Sequence, residues 1–174
     1  QVYWTYRHPL AETLTLCCGK QSRGVAILGT TLFMATLDAH LIALDATTGN
    51  RLWDVEVADH LTGHSMTAAP LVVGDMVVVG IGGGEYGIRG FVDAYDAATG
   101  ERRWRRFTIP GPEEPDHDTW EGDSWRTGGA STWMTGTYDP ALNLIYWGIG
   151  NPGPDFNPSQ RLGDNLYSDS VVAL

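Results

Sequence analysis

The sequence predicts an all-β fold, a β-propeller built from four-stranded antiparallel blades. The first observation is an internal repeat, because the pattern A-x-D-A-x-T-G-x-x-x-W occurs at residues 43–53 and again at 94–104. The second is a series of short alternating or apolar runs, at 24–28, 31–37, 40–44, 51–57, 67–73, 75–81, 91–95 and 101–107. Four short strands in roughly 50 residues are typical of one propeller blade.

Each part of the repeat has a mechanical role. The Asp and Thr side chains bond local backbone groups in a turn, and the Gly supplies a positive φ. The Trp is expected to pack between neighbouring sheets. Trp4 is interpreted as the end of an earlier copy, and residues 172–174 resemble the start of another at 42–44. We therefore expect about three to four blades in one partial propeller domain, residues 1–174, that is truncated at both ends.

Composition narrows the choice of partners. Hydrophobic residues make up 43% of the chain, which is enough for a core. The formal net charge of −10 argues against a nucleic-acid partner, because phosphate backbones attract basic proteins. No apolar run approaches 18 residues, so no transmembrane segment is predicted.

Two groups of residues that could bind a metal are predicted not to do so. Segment 110–125 carries six acidic residues among prolines, and we interpret it as a solvated surface loop rather than a metal or partner loop. His60 and His64 are four residues apart, but no helix is predicted around them. They are therefore not predicted to be zinc ligands.

Cys17 and Cys18 are adjacent, and they are the only cysteines in the chain. A bond between neighbouring residues would close a small ring, and it would stabilise the fold little because it constrains almost no chain loop. The pair is either two buried thiols or a local feature of a binding site. The residues alone leave both interpretations open.

Further candidate residues follow glycines or precede a proline. Glu85 follows three glycines, where it could bind a hard cation or simply belong to a flexible hairpin. Trp133 could form the floor of a site or pack between blades, and Asn151 could be a Ca²⁺ ligand or a turn residue. Loops of successive blades can converge at one end of a propeller channel. A single cofactor pocket is therefore predicted from Cys17, Cys18, Arg23, Thr67, Glu85, Trp133 and Asn151.

These motifs, in this order, resemble the pyrroloquinoline-quinone (PQQ) dependent alcohol and methanol dehydrogenases. The resemblance covers essentially the whole chain. The two A-x-D-A-x-T-G-x-x-x-W copies are similar to that family's tryptophan docking motifs. The other matching segments are Cys17-Cys18 and residues 23–26, 67–70, 83–90, 128–133, 138–140, 150–152 and 163–165.

The resemblance implies an eight-bladed propeller that binds PQQ. It implies that Cys17 and Cys18 form a disulfide ring on one face of PQQ, and that Trp133 lies against the other face. Gly84 and Ser131 stand where the family often has Ala and Thr, and these departures preserve the backbone and the hydroxyl. The implied PQQ contacts are Cys17, Cys18, Arg23, Thr67, Gly83, Gly84, Ser131 and Trp133, and the implied metal ligands are Glu85 and Asn151.

The implied activity is oxidation of a primary alcohol to an aldehyde, with hydride transfer to the C5 carbonyl of PQQ bound to Ca²⁺ or a lanthanide. Electrons would pass to a cytochrome c or a membrane quinone. The family's general-base Asp matches no residue here and is expected beyond Leu174, so residues 1–174 alone are expected to be inactive. A disulfide also implies an oxidising compartment, here the periplasm.

Two other functions are compatible with parts of the sequence. A non-enzymatic PQQ-like propeller that acts as an assembly scaffold would carry the same docking repeats. It would have no reason to combine Glu85, Asn151 and Trp133 with the cysteine pair. A glycan-active propeller is disfavoured because no paired-carboxylate signature is present. The identity of the alcohol, and the choice between Ca²⁺ and a lanthanide, stay open.

Overall fold

The computed structural model describes residues 1–174 as three antiparallel sheets joined in chain order. The first sheet contains β1 (Val25–Leu28), β2 (Thr31–Ala35), β3 (His40–Asp45) and β4 (Arg51–Glu56). The second contains β5 (Leu71–Val73), β6 (Met76–Gly80), β7 (Phe91–Asp96) and β8 (Arg102–Phe107). The third contains β9 (Thr137–Asp139), β10 (Leu144–Gly148) and β11 (Val171–Ala173).

Each strand pairs with the next one in its sheet, which is the meander of a propeller blade. The predicted all-β propeller architecture is confirmed, with two four-stranded sheets and a three-stranded one. The only helices are five single 3₁₀ turns, and none is long and apolar enough to cross a membrane. In the third sheet, β11 pairs with β10 as the third strand. Residues 172–174 thus hold the place that residues 42–44 hold in the first sheet.

Two predicted strands differ from the observed ones by more than one residue at one end. The run 67–73 is a strand only from Leu71, because Pro70 lacks an N–H and the carbonyl of Thr67 instead accepts from Arg23 N at 2.9 Å. The run 31–37 ends at Ala35. Thr36 begins a turn in which its amide donates to the carbonyl of His40 at 2.9 Å.

The repeated motif forms the predicted turn in both complete sheets. The carboxylate of Asp45 accepts from the amides of Thr47 and Thr48, each at 2.8 Å. Asp96 holds the second copy in the same way, accepting from Thr99 N at 2.8 Å. A register shift also occurs at the same motif position in both copies, directly after the alanine that pairs with the tryptophan. The local chemistry of the motif is therefore reproduced in both blades.

A tryptophan from earlier in the chain docks on each of these two turns. Trp4 Nε1 donates to the carbonyl of Ala46 at 3.0 Å, and Trp53 Nε1 donates to the carbonyl of Ala97 at 3.1 Å. Each indole also covers a motif glycine. A Cβ atom on Gly100 would lie 2.9 Å from Cδ2 of Trp53, closer than real Cβ contacts allow. The interpretation of Trp4 as part of an earlier copy agrees with this placement.

The core lies between successive sheets, because strand residues alternate between two faces. On β6, Val77 and Val79 belong to the cluster shared with the first sheet. Val78, between them, belongs to the cluster shared with the third sheet, beside the fully buried Trp147. The second sheet is thus apolar on both faces and is the middle layer of the three.

Segment 110–125 differs in part from the predicted solvated loop. Five of its six acidic residues are exposed, but Glu114 accepts from Arg89 at 3.2 Å, Arg106 at 3.2 Å and Gly111 N at 2.6 Å. Trp120 and Trp125 are buried in a core cluster of their own. The segment packs against the rest of the fold because its two indoles bury a large apolar area. The many acidic residues around them made this packing hard to predict from the sequence.

Candidate functional site

One pocket of about 350 Å³ gathers most of the residues predicted from the sequence. A larger cleft of about 470 Å³ beside Trp104 is lined mainly by apolar side chains, and none of the predicted site residues lines it. Gly84 does not line the smaller pocket and instead backs it, since a Cβ there would lie 3.2 Å from Ser131 Oγ. The other nine predicted residues all line it, namely Cys17, Cys18, Arg23, Thr67, Gly83, Glu85, Ser131, Trp133 and Asn151.

Residues 128–131 bring two of the pocket's walls together. On one side, Gly129 N donates to the carbonyl of Ile88 at 2.9 Å. On the other side, Ala130 N donates to the carbonyl of Asn151 at 3.0 Å, and Gly150 N donates to the carbonyl of Ser131 at 2.7 Å. These ladder bonds place Ser131 beside residues 150–151, although the two segments are about 20 residues apart.

Glycines shape the wall that carries Glu85. Gly83 has φ +113°, and a Cβ there would lie 2.1 Å from the carbonyl oxygen of Gly63, so only glycine fits. Gly82 pairs with Ser65 through two backbone hydrogen bonds of 2.7 and 3.2 Å. The 3₁₀ turn that follows presents Glu85, whose carboxylate makes no hydrogen bond or ion pair within the chain. The carboxylate is therefore free to bind a ligand.

Arg23 and Trp133 form a second wall. The guanidinium carbon of Arg23 lies 5.2 Å from the centroid of the Trp133 ring. Arg23 Nη2 also donates to Gln21 Oε1 at 3.2 Å. The Trp133 side chain is 43% exposed, whereas the inter-sheet Trp147 is completely buried. Trp133 thus presents an open aromatic face at the pocket rather than packing between sheets.

The cysteine pair lies in a strand-free N-terminal segment. Cys17 and Cys18 are bonded to each other, with an S–S distance of 2.06 Å. The segment is anchored upstream, where His8 Nε2 contacts the carboxylate of Asp38 at 3.0 Å. Burial alone would raise the pKa of Asp38. The hydrogen bonds from Thr36 and His8 outweigh burial, so the pKa lies below its ordinary value.

Glu85 and Asn151 fit a hard cation. A carboxylate and an amide oxygen are ligand types that Ca²⁺ and similar ions prefer, and both side chains line the same pocket. No three His, Cys, Asp or Glu side chains cluster anywhere in the chain. This chain therefore offers two oxygen ligands, and a bound cation would take its remaining ligands from a cofactor, water or other residues.

Sequence reasoning missed four residues that line the pocket. Gly19 and Gln21 lie in the same C-C-G-K-Q-S-R run as the predicted residues, so their proximity in sequence was a usable signal. Gly82 precedes the predicted Gly83 and gave a similar signal. Ser65 gave none, because it reaches the pocket only through its pairing with Gly82.

The comparisons with known proteins agree with this architecture. A PQQ family model, described as the glucose/ethanol/alcohol dehydrogenase β-propeller domain, matches residues 1–174. The quinoprotein alcohol dehydrogenase PedH of Pseudomonas putida is 42% identical over 98% of this chain and 31% of its own length. The lanthanide-dependent methanol dehydrogenase of Methylacidiphilum fumariolicum is 44% identical over 90% of this chain and 29% of its length. A solved europium-containing methanol dehydrogenase matches with a TM-score of 0.94 at 40% identity, covering 99% of this chain and 34% of that one.

The fold and the pocket define part of a β-propeller with a polar, glycine-lined site beside its sheets. The chain belongs to the PQQ-dependent dehydrogenase family, whose model matches it from end to end. It spans about a third of the length of the relatives to which it was compared.

Proposed function

We propose that this chain forms part of the PQQ-binding propeller of an enzyme that oxidises a primary alcohol to an aldehyde. The observation that supports this most is the single pocket, which combines the disulfide, Arg23, Trp133 and two cation-type ligands. The named relatives are quinoprotein alcohol and methanol dehydrogenases. When bound, PQQ would accept the hydride from the alcohol, and the cation would polarise its carbonyl.

The residues of the pocket suit a planar, anionic cofactor. Trp133 offers an aromatic face, and Arg23 offers a positive charge beside it. Gly82 and Gly83 line the pocket without side chains, so a flat ligand can approach their main chain closely. We assign PQQ contacts to Cys17, Cys18, Arg23, Thr67, Gly83, Gly84, Ser131 and Trp133, with Gly84 acting through its backbone behind Ser131.

Glu85 and Asn151 are proposed to hold the cation, either Ca²⁺ or a lanthanide. The names of two relatives contain lanthanide or europium, and the oxygen ligands here suit either ion. No residue of the chain is assigned as the general base, so residues 1–174 alone are proposed to be inactive. Electrons are proposed to pass to a cytochrome c or a membrane quinone. A periplasmic location is also proposed, because the Cys17–Cys18 disulfide suits an oxidising compartment.

Reconstitution of the complete protein tests this function. The wild type, supplied with PQQ and Ca²⁺ or La³⁺, should reduce an artificial dye when a primary alcohol is added. Glu85→Gln should lower that rate by about 100-fold, because a neutral amide binds a hard cation more weakly than a carboxylate.

The matched control is Glu101→Gln, which removes an exposed carboxylate in the β7–β8 turn and should leave the rate unchanged. If neither metal supports alcohol-dependent dye reduction, the enzymatic function is wrong, and an assembly scaffold becomes the better account.

A further inference from the structure

Asp155 restrains the side chain of Asn151, four residues earlier in the same loop. Asn151 Nδ2 lies 2.5 Å from Asp155 Oδ1 and 3.2 Å from the carbonyl oxygen of Pro152. A carbonyl and an ionised carboxylate can only accept hydrogen bonds. The amide nitrogen of Asn151 must therefore face these two acceptors, and its Oδ1 must face the other way. We propose that Asp155 is a positioning residue that keeps Oδ1 of Asn151 directed at a cation bound with Glu85.

Asp155 acts through Asn151 and not as a ligand itself. Asn151 and Glu85 line the pocket, whereas Asp155 does not. Asp155 is also half-buried, while Asn151 is exposed toward the site. A free asparagine side chain could present either its nitrogen or its oxygen to the pocket, and only the oxygen binds a cation. The carboxylate removes that ambiguity.

The hydrogen bond also strengthens the ligand. A bond from an N–H to a charged carboxylate is stronger than one between neutral groups, and it polarises the amide so that its oxygen becomes more negative. Outer groups that orient metal ligands typically contribute 10- to 100-fold to metal affinity. This inference rests on the proposed function, because it takes Asn151 as a cation ligand.

The main chain of the loop does not depend on Asp155. Ala130 N donates to the carbonyl of Asn151 at 3.0 Å, and Gly153 N donates to the carbonyl of Gly128 at 2.7 Å. These bonds anchor the loop on both sides of Pro152. Removing the Asp155 carboxylate should therefore release the Asn151 amide while leaving its backbone in place, and the variant should fold.

The test measures metal affinity rather than turnover. The complete protein, stripped of metal with a chelator and supplied with PQQ, is titrated with Tb³⁺ while tryptophan-sensitised luminescence is followed. Asp155→Ala should raise the Kd for Tb³⁺ by about 10- to 100-fold. Asp155→Asn should stay within about threefold of the wild type, because its amide oxygen can still accept from Asn151 Nδ2. The control is Asp164→Ala, which removes an exposed carboxylate that has no hydrogen-bond partner, from the same loop region as Asp155. It should leave the Kd unchanged.

Each outcome bears on a different claim. If Glu85→Gln weakens Tb³⁺ binding while Asp155→Ala does not, the positioning role is wrong and the proposed function stands. If Asp155→Asn binds as poorly as Asp155→Ala, an acceptor for Asn151 Nδ2 does not restore the affinity, and the positioning role is also wrong. If the wild type binds no Tb³⁺, both the cation site and this inference fail. The thermal unfolding midpoint of each variant establishes that the fold is retained.

Discussion

The docking of Trp53 on the second motif turn can be tested with two glycine substitutions. Gly100→Ala and Gly74→Ala each place a side chain on a turn glycine with a left-handed backbone, at φ +75° and +60° respectively. Around Gly74 the added Cβ meets nothing within 4 Å. At Gly100 it would lie 2.9 Å from Cδ2 and 3.0 Å from Cε3 of Trp53. The two variants share the backbone strain and differ in the contacts with the indole and with Cγ2 of Val55, which would lie 3.1 Å from the added Cβ.

The difference between their unfolding free energies can be worked from these contacts. An L-residue in the left-handed region costs about 1 kcal/mol, which both variants should lose. Overpacking of a fitted side chain costs about 1–3 kcal/mol, and Trp53 lies at the lower end because it is half-buried. A displaced indole would also weaken the 3.1 Å hydrogen bond to Ala97, at about 1 kcal/mol. Gly100→Ala should therefore lose about 2 kcal/mol more than Gly74→Ala.

Urea unfolding of the complete protein, followed by tryptophan fluorescence and circular dichroism, measures both values. Equal denaturant slopes for the two variants are required before their free energies are compared. If the two variants agree within about 0.5 kcal/mol, Trp53 does not fill the turn at Gly100, and the inter-sheet linkage described above is wrong.

Three further predictions follow from buried polar contacts. Asp93→Asn should lower the free energy of unfolding, measured in urea, by about 3–5 kcal/mol. The reason is that the fully buried Asp93 carboxylate pairs with Arg105 through two hydrogen bonds of 2.6 and 2.7 Å. A loss below about 1 kcal/mol would contradict this. Because the pKa of Asp38 is lowered in the folded protein, its carboxylate stabilises the fold at pH values above the ordinary pKa of 3.8, and this contribution is lost as the pH falls below 3.8. Asp38→Asn should therefore flatten the acid side of the stability–pH curve measured by urea unfolding, and an unchanged curve would refute it. Thr132→Val should lower the unfolding free energy by about 1–3 kcal/mol, because it leaves the buried Ile81 N without its 2.7 Å acceptor, and a neutral result in the same assay would contradict that role.

The blades could be predicted from the sequence because the repeat encodes its own turn. Asp45 and Asp96 accept from backbone amides two and three residues on, so the turn forms from residues close in sequence. The sequence does not predict the individual strands of the third sheet, for the opposite reason. Its first turn uses Asp139 and an Asn143 with φ +53° in place of the repeated motif, so the same pattern could not reveal it.

The sequence could predict which residues form the candidate site, but not the side-chain contacts between them. Glycines beside Glu85 and a proline after Asn151 marked positions where a side chain is set by an unusual backbone. The sequence could not show that the amide of Asn151 is restrained by Asp155, because GNPGPD is also an ordinary turn sequence. Side-chain contacts of this kind depend on how the loop packs on residues 128–130, which are distant in sequence.

Thr132 shows why side-chain contacts that the sequence does not predict matter for the site. It is fully buried between two pocket residues, Ser131 and Trp133, and nothing in its sequence neighbourhood distinguishes it from them. Its hydroxyl accepts from Ile81 N at 2.7 Å and donates to the carbonyl of Phe91 at 2.5 Å. One threonine thus satisfies backbone groups at the end of β6 and the start of β7, both in the second sheet. Ser131 and Trp133, on either side of it, line the pocket. The hydrogen bonds of Thr132 therefore fix the wall that contains Trp133 relative to the wall that contains Gly82 and Gly83. The geometry of the site therefore depends on a buried hydroxyl whose role arises only from packing between sheets.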